Sequence, residues 1–327
     1  MLKLKYLFNN KDLAQMILEN WQYDHEDPNL FNYYRISANA VYWCKNKDGR
    51  FFLRFTPAEE TTKERILGEL DFLRYLRNNG YPAADTILSK ANNELETVDT
   101  PWGRYYAVAF KKAPGKSIED MELTPAIIFG LGKSLGSLHK LSCEYMPSNN
   151  KRSHWKEKIQ WMEEVLSDFP MEIDAKKELT LLKEYLSKLS VTRDNFGLTH
   201  YDFEADNVFY DENTKTYNPI DFDDSMYHWY AMDIDQTIDS LKDNIPEEQL
   251  DVSINHLIDG YRSEHVISSD LLSILPVFRR FADLYGYVRV LRSVQEKWSN
   301  EPEWLVNLRI RLKNSLNRRK AKFGSPI

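Results

Sequence analysis

His200, Asp202 and Asn207 stand in Leu198-Thr199-His200-Tyr201-Asp202-Phe203-Glu204-Ala205-Asp206-Asn207-Val208-Phe209-Tyr210. After a polar turn, Asp221 follows in Tyr217-Asn218-Pro219-Ile220-Asp221-Phe222-Asp223-Asp224. Moving a phosphoryl group from ATP to a hydroxyl needs a carboxylate that receives the hydroxyl proton. It also needs oxygen ligands that hold Mg2+ on the phosphates. Asp202 is a candidate base, Asn207 five residues later a candidate metal ligand, and Asp221, on the strand after a hairpin, a second one. Asp and Asn are common turn residues, so a hairpin with surface carboxylates is the plain alternative. Three polar types in this order, flanked by Val208-Phe209-Tyr210 and Ile220, weigh against coincidence.

Such residues need rigid elements around them. Residues 11–21 read as a short helix with Leu13, Met16, Ile17 and Trp21 on one face. From Tyr34 the period becomes strand-like. Tyr42-Trp43-Cys44 and Phe51-Phe52-Leu53-Arg54-Phe55 flank Asn46-Lys47-Asp48-Gly49, an Asp-Gly hairpin signal. A helix is expected from about Thr61 to Asn78, with Ile66, Leu70, Leu73 and Leu76 as its buried stripe and Gly80 closing it. Strand-like Thr86-Ile87-Leu88, a polar turn and Tyr105-Tyr106-Ala107-Val108-Ala109-Phe110 come next. Pro114-Gly115 breaks the pattern and puts a boundary near 110–116. Beyond Thr124 helices are expected over 124–141, 153–167, 173–190, 232–242, 247–262, 268–298 and 301–322.

The H-x-D-x-x-x-x-N pattern resembles the aminoglycoside phosphotransferase and choline kinase family, and so does Phe222-Asp223 in place of Phe-Gly after the metal Asp. The resemblance covers about residues 30–300. It implies an α+β, two-lobed protein-kinase-like fold. A small antiparallel-sheet lobe of five strands (1–112) would clamp the nucleotide. A mostly helical lobe (113–327) would carry the catalytic and metal-binding loops. The implied cofactors are ATP and Mg2+. The implied acceptor is a hydroxyl of a small molecule that is amino-alcohol, homoserine-like or aminoglycoside-like. A bacterial Ser/Thr protein kinase of the same superfamily is the alternative, and a nucleotide-binding pseudokinase a weaker one.

The resemblance makes Asp202 the base and Asn207 and Asp221 the Mg2+ ligands. Arg54, where the family usually has Lys, becomes the phosphate clamp, held by Glu69 on the following helix. Arginine keeps the charge and can meet phosphate bidentately, with a different geometry from lysine. Ser37 and Asn39, in Ser37-Ala38-Asn39-Ala40-Val41-Tyr42, would belong to the turn that covers the phosphates. His139 reads as a core histidine bracing the catalytic loop, and His200 as holding the loop backbone and the Asp221 segment. Asp233 is expected to cap its helix and tie it to that loop. Glu204, Asp206, Asp223 and Asp224 crowd the site with negative charge, for a second Mg2+ or a substrate ammonium. Tyr227-His228-Trp229-Tyr230 is the first candidate for an aromatic wall around a cationic acceptor.

Composition narrows the alternatives. With 42% hydrophobic residues in 327, the chain has ample material for a core, which excludes global disorder. Cys44 and Cys143 are too few for a disulfide framework and favour a reducing cytoplasm. The first ten residues lack a signal-peptide core, and no apolar run reaches membrane-spanning length. A net charge of −7 argues against nucleic acid as a partner. The basic run from Arg309 to Lys322 reads as an exposed cationic helix face favoured by the helix dipole.

Overall fold

In this computed structural model, residues 1–8, 10–148, 151–242 and 244–327 are described. Helix α1 (Lys11–Leu18) begins where the Asn10 side chain accepts the Leu13 N–H. An antiparallel sheet follows: β1 (Tyr33–Ile36), β2 (Ala40–Asn46), β3 (Gly49–Pro57), β4 (Thr86–Ile87), β5 (Glu96–Thr100) and β6 (Gly103–Lys111). Its order is β1-β2-β3-β6-β4, with β5 also pairing β6, so the sheet has six strands rather than five. The extra strand is Glu-Thr-Val-Asp-Thr, which reads as a polar turn because it has little apolar surface to bury. Helix α2 (Lys63–Asn78) intervenes between β3 and β4, capped by Thr62. It buries the expected stripe Ile66, Leu70, Leu73 and Leu76, and Glu69 with it. On the other face of the sheet, α1 packs Leu13, Ile17 and the neighbouring Trp21 against Tyr42, Leu53 and Phe55.

Past Lys111 the chain enters the helical lobe. Its elements are β7 (Lys116–Ser117), α3 (Pro125–Ser142), α4 (Trp155–Ser167), α5 (Ile173–Leu186), β8 (Phe196–Thr199), β9 (Val208–Asp211), β10 (Thr216–Pro219) and β11 (Met226–Trp229). Then come α6 (Ala231–Lys242), α7 (Glu247–Arg262), α8 (Ser269–Ser273), α9 (Leu275–Ser293) and α10 (Glu303–Lys320). The single helix expected over 268–298 is therefore two. Pro276 has no N–H to continue α8 and is accommodated only in the first turn of a new helix.

Two small antiparallel ladders carry the site. Strand β8 pairs with β11, and β9 pairs with both β10 and β7. The β8–β9 connection holds Asp202 and Asn207, and the β10–β11 connection holds Asp221. Beneath them α3 and α7 pack backbone to backbone. A Cβ at Gly132 would collide with the Leu257 carbonyl, and one at Gly260 with that of Phe129. A separate apolar cluster joins Leu2, Leu4 and Leu7 to Leu305 of α10. Part of the expected cationic face of α10 is used internally. Arg309 binds Glu301 and the carbonyls of Val294 and Glu296, and Arg319 binds Asp283. Among the described residues no helix is long and apolar enough to cross a membrane.

Candidate active site

Strand β8 delivers the chain into a turn at Tyr201, whose φ of 66° is uncommon for a residue with a side chain. The Asp233 carboxylate, in the first turn of α6, holds that turn. Its Oδ2 accepts the His200 N–H and its Oδ1 the Tyr201 N–H, each at 2.7 Å. His139 Nε2 lies 3.0 Å from the same Oδ2, while its Nδ1 lies 2.9 Å from the Tyr261 hydroxyl on α7. Asp233, His139 and His200 are fully buried. Asp233 thus ties α6 to the catalytic loop, as expected, but its carboxylate is occupied by the loop rather than by a cap of its own helix.

His200 does what its position suggests. Its Nδ1 accepts the Asp202 N–H at 3.2 Å, which leaves Nε2 to donate to the Ile220 carbonyl at 2.9 Å. That pair of bonds defines a neutral ring, and burial pushes its pKa down to about 4. Through this one side chain the catalytic loop and the strand leading to Asp221 are fixed to each other.

Asn207 Nδ2 donates to Asp202 Oδ2 at 2.8 Å and to the Asp202 carbonyl at 3.0 Å. The amide nitrogen is thereby committed, and the amide oxygen is left for a cation. Asp221 adopts left-handed backbone angles (φ 63°, ψ 59°) at the start of a 3-10 turn, Phe222–Asp224. Its Oδ1 stands 3.6 Å from Arg54 Nη1. Burial, then the charges of Glu204, Asp224, Asp221 and Asp223, raise the Asp202 carboxyl well above the usual range. Burial beside Asp223 raises Asp221 too, although its side chain keeps 37% of its surface open. A divalent cation would relieve this crowding of negative charge. The donors are hard oxygens, an amide and a carboxylate, which suit Mg2+ when phosphate oxygens complete its shell. Among the described residues no group of three His, Cys, Asp or Glu side chains could hold a metal unaided.

Arg54 and Glu69 form a two-pronged pair, Nη1 to Oε1 at 2.9 Å and Nη2 to Oε2 at 2.6 Å. They are 8% and 1% exposed, so the pair is buried between β3 and α2. Arg54, Glu69, Asn207 and Asp221 all line one cleft of about 400 Å3 between the lobes, with Val41, Phe52 and Phe110 among its apolar walls. Asn39 is not among the residues lining that cleft. Its Nδ2 donates to Asp223 Oδ2 and its Oδ1 accepts from the Thr56 hydroxyl, which pins the β1–β2 turn onto the metal loop. Ser37 closes the same turn through its backbone, its N–H donating to the Asn39 carbonyl at 3.0 Å.

Several site residues escaped the sequence. Arg152 is 5% exposed and donates to the carbonyls of Ser225 (3.0 Å), Arg65 (2.7 Å), Phe222 (3.3 Å) and Asp223. It stitches the metal loop to α2, yet Lys151-Arg152 carries no pattern that would reveal this. Arg289 of α9 binds Asp224 at 2.6 Å, and Arg35 of β1 reaches Asp206 at 3.6 Å. One expectation is overturned. His228, Trp229 and Tyr230 are at most 1% exposed, and Tyr230 stacks on His139. These three are core, and the half-buried Tyr227 does not line the cleft, so Tyr227-His228-Trp229-Tyr230 forms no aromatic wall there.

Comparison with known proteins agrees with this geometry. The family described as phosphotransferase enzymes matches residues 36–266. Amicoumacin kinase of Bacillus subtilis (strain 168) is 26% identical over 295 residues, covering 85% of this chain and 85% of that protein. Among solved structures, amicoumacin kinase hAmiN in complex with AMP-PNP, Ca2+ and Ami superposes with a TM-score of 0.80. It is 21% identical, over 98% of this chain and 94% of that one. The microcompartment-associated aminopropanol kinase gives 0.71 at 20% identity, over 96% and 97%. The chain belongs to the phosphotransferase enzyme family.

Proposed function

We propose that Asp202 is the base, Asn207 and Asp221 the metal ligands, and Arg54 the phosphate clamp of this small-molecule kinase. The enzyme transfers the γ-phosphoryl group of ATP, with a divalent metal, to an alcohol. The observation that carries the assignment is the hydrogen bond from Asn207 to Asp202, with Asp221 facing Arg54 across the same cleft. A divalent metal held by Asn207 and Asp221 would neutralise the charge of the phosphates. The chain's own residues do the rest. Glu69 holds the Arg54 guanidinium by two bonds, which fixes the orientation in which it meets phosphate. Asn207 orients the Asp202 carboxylate, which accepts the proton of the acceptor hydroxyl as its oxygen bonds to the γ-phosphorus of ATP, while the bond from that phosphorus to the β,γ-bridging oxygen breaks and ADP leaves. Asp233 and the neutral His200 hold the loop from behind and take no proton from the substrate.

The names of the relatives favour a small molecule that carries an amine and a hydroxyl over a protein loop. A reducing cytoplasm suits Cys44 and Cys143, which are free thiols here. Asp202→Ala and Asp221→Ala test the roles together. Asp202→Ala lowers kcat roughly 10²–10⁴-fold with little change in nucleotide affinity, since the base acts on the acceptor. Asp221→Ala instead weakens Mg-ATP binding and reduces the thermal stabilisation it gives, because a residue that would hold the metal is gone. Near-normal turnover in the first, or full nucleotide stabilisation in the second, refutes the corresponding role.

A further inference from the structure

A second cavity, of about 440 Å3, opens beyond the metal loop, between the β1–β2 turn, the start of α2, and helices α4 and α9. Asp224 of the metal loop lines it, and so does Tyr285, whose ring lies 5.6 Å from that of Tyr201 beside Asp202, so the cavity adjoins the catalytic loop. Most of the charge around it is already matched. Arg289 binds Asp224 at 2.6 Å, and Arg292 binds Glu60 at 2.7 and 3.0 Å. Glu59 takes the Tyr6 hydroxyl at 2.6 Å and faces Lys5 at 3.6 Å, while Glu157 is exposed to solvent and accepts the His154 N–H at 3.2 Å.

Three cations are left over, the Met1 ammonium and two side chains. Lys158 of α4 is 6% exposed and forms no ion pair among the described residues, and its ammonium lies 5.6 Å from the centre of the Tyr285 ring. Arg65 of α2 has a buried Nε with no hydrogen-bond partner. Arg152 and Arg289 add positive charge around Lys158, and Asp224, already bound by Arg289, opposes it. Burial, then the nearby Arg65, push the Lys158 ammonium down to about 7, the response of a cation short of an anion. A buried lysine beside a half-buried arginine whose Nε is enclosed and unbonded is costly to leave facing a cavity without an anion.

Resting on the kinase reading, we propose that this cavity receives the acceptor and that Lys158 and Arg65 bind an anionic group on it, a carboxylate. The acceptor is thus a hydroxyl compound that carries a carboxylate, with or without an amine, rather than a simple amino-alcohol. Trp161 and Tyr285, 5.7 Å apart edge to face, supply the apolar wall against which its carbon frame lies.

Two measurements test this on the full chain. Malonate and inorganic phosphate serve as probes in thermal unfolding of the wild type, Lys158→Met and Arg65→Gln, with Mg-ATP as the control for an intact fold. Malonate raises the wild-type Tm and neither variant responds, while Mg-ATP stabilises all three alike. A Tm rise with phosphate but not malonate assigns the cavity to the phosphoryl group and overturns the proposal, as does the absence of any malonate effect. The second measurement is phosphorylation of matched pairs that differ only in the carboxylate: L-homoserine with 3-amino-1-propanol, L-serine with ethanolamine, L-threonine with 1-amino-2-propanol. Where a pair is turned over, the carboxylate member is preferred, and Lys158→Met raises its KM roughly 10- to 100-fold with a much smaller change in kcat. Preference for the amino-alcohols, with KM unchanged in Lys158→Met, overturns it. Failure of the kinase reading looks different: Mg-ATP then gives no stabilisation and no acceptor consumes ATP, whatever malonate does.

Discussion

Arg54→Met strips the buried Arg54–Glu69 pair of its cation and leaves Glu69, 1% exposed, without a hydrogen-bonded counter-charge. Breaking a buried pair in this way costs about 3–5 kcal/mol. The reverse truncation, Glu69→Leu, costs less, because Arg54 retains Asp221 at 3.6 Å as a second carboxylate. Replacing both ends with apolar groups of similar volume is often near neutral. The double variant Arg54→Met/Glu69→Leu therefore regains most of the stability lost by Arg54→Met, with a coupling energy on the order of 3 kcal/mol. Urea unfolding of wild type, both single variants and the double variant measures this cycle. The same proteins titrated with Mg-ATP separate structure from function. The double variant folds well yet binds nucleotide poorly, since the phosphate clamp is gone. Stability losses that simply add would refute the paired-charge reasoning. A double variant with wild-type nucleotide affinity would refute the clamp.

Two further outcomes follow from the buried groups behind the catalytic loop. Asp233→Ala orphans the N–H groups of His200 and Tyr201 and costs about 3–5 kcal/mol in urea unfolding, with a fall in kcat in the folded protein; a loss under about 1 kcal/mol would show that the hub is dispensable. Burial depresses His200 and His228 to about 4 and about 3, below an ordinary value of 6.5, so both stay neutral in the fold while the unfolded chain takes up protons. Their contribution is complete above about pH 6.5 and is lost as pH falls toward 4 and 3, with a slope of about 1.4 kcal/mol per pH unit for each histidine. His228→Asn, which keeps an acceptor for the Trp229 N–H 2.9 Å away, removes one histidine's share of that slope between pH 6.5 and 5. An unchanged slope counts against the assignment.

What the sequence disclosed was mostly local. Asp202 and Asn207 are five residues apart, and that spacing within one turn already places the amide on the carboxylate. Arg54 and Glu69 were legible only through the resemblance to the family, and the structure joins them in a two-pronged pair. Groups that reach the site from remote helices were not. Arg152, Lys158 and Arg289 are single cations in segments with no repeat or motif, and only the packing of α4, α9 and the chain before α4 on the metal loop gives them a role. The aromatic run at 227–230 misled for the complementary reason. Proximity in sequence to Asp221 suggested an open wall, but the pairing of β11 with β8 drives His228, Trp229 and Tyr230 into the core.

Asp221, Asp223 and Asp224 show how little a string of like residues reveals and how the backbone then sorts them. Asp221 takes a left-handed conformation and starts a 3-10 turn, in which successive side chains point about 120° apart. Consequently the three carboxylates meet three different surroundings. Asp221 faces the nucleotide cleft and Arg54, Asp223 takes the Asn39 amide from the covering turn, and Asp224 is bound by Arg289 of α9. Of the three, Asp221 is the one that lines the nucleotide cleft. The second couples the small lobe to the metal loop. The third, already neutralised, forms part of the wall of the second cavity, and its pairing with Arg289 is what leaves Lys158 without a partner. The anion demand of that cavity is thus set by the same turn that presents Asp221 to the nucleotide.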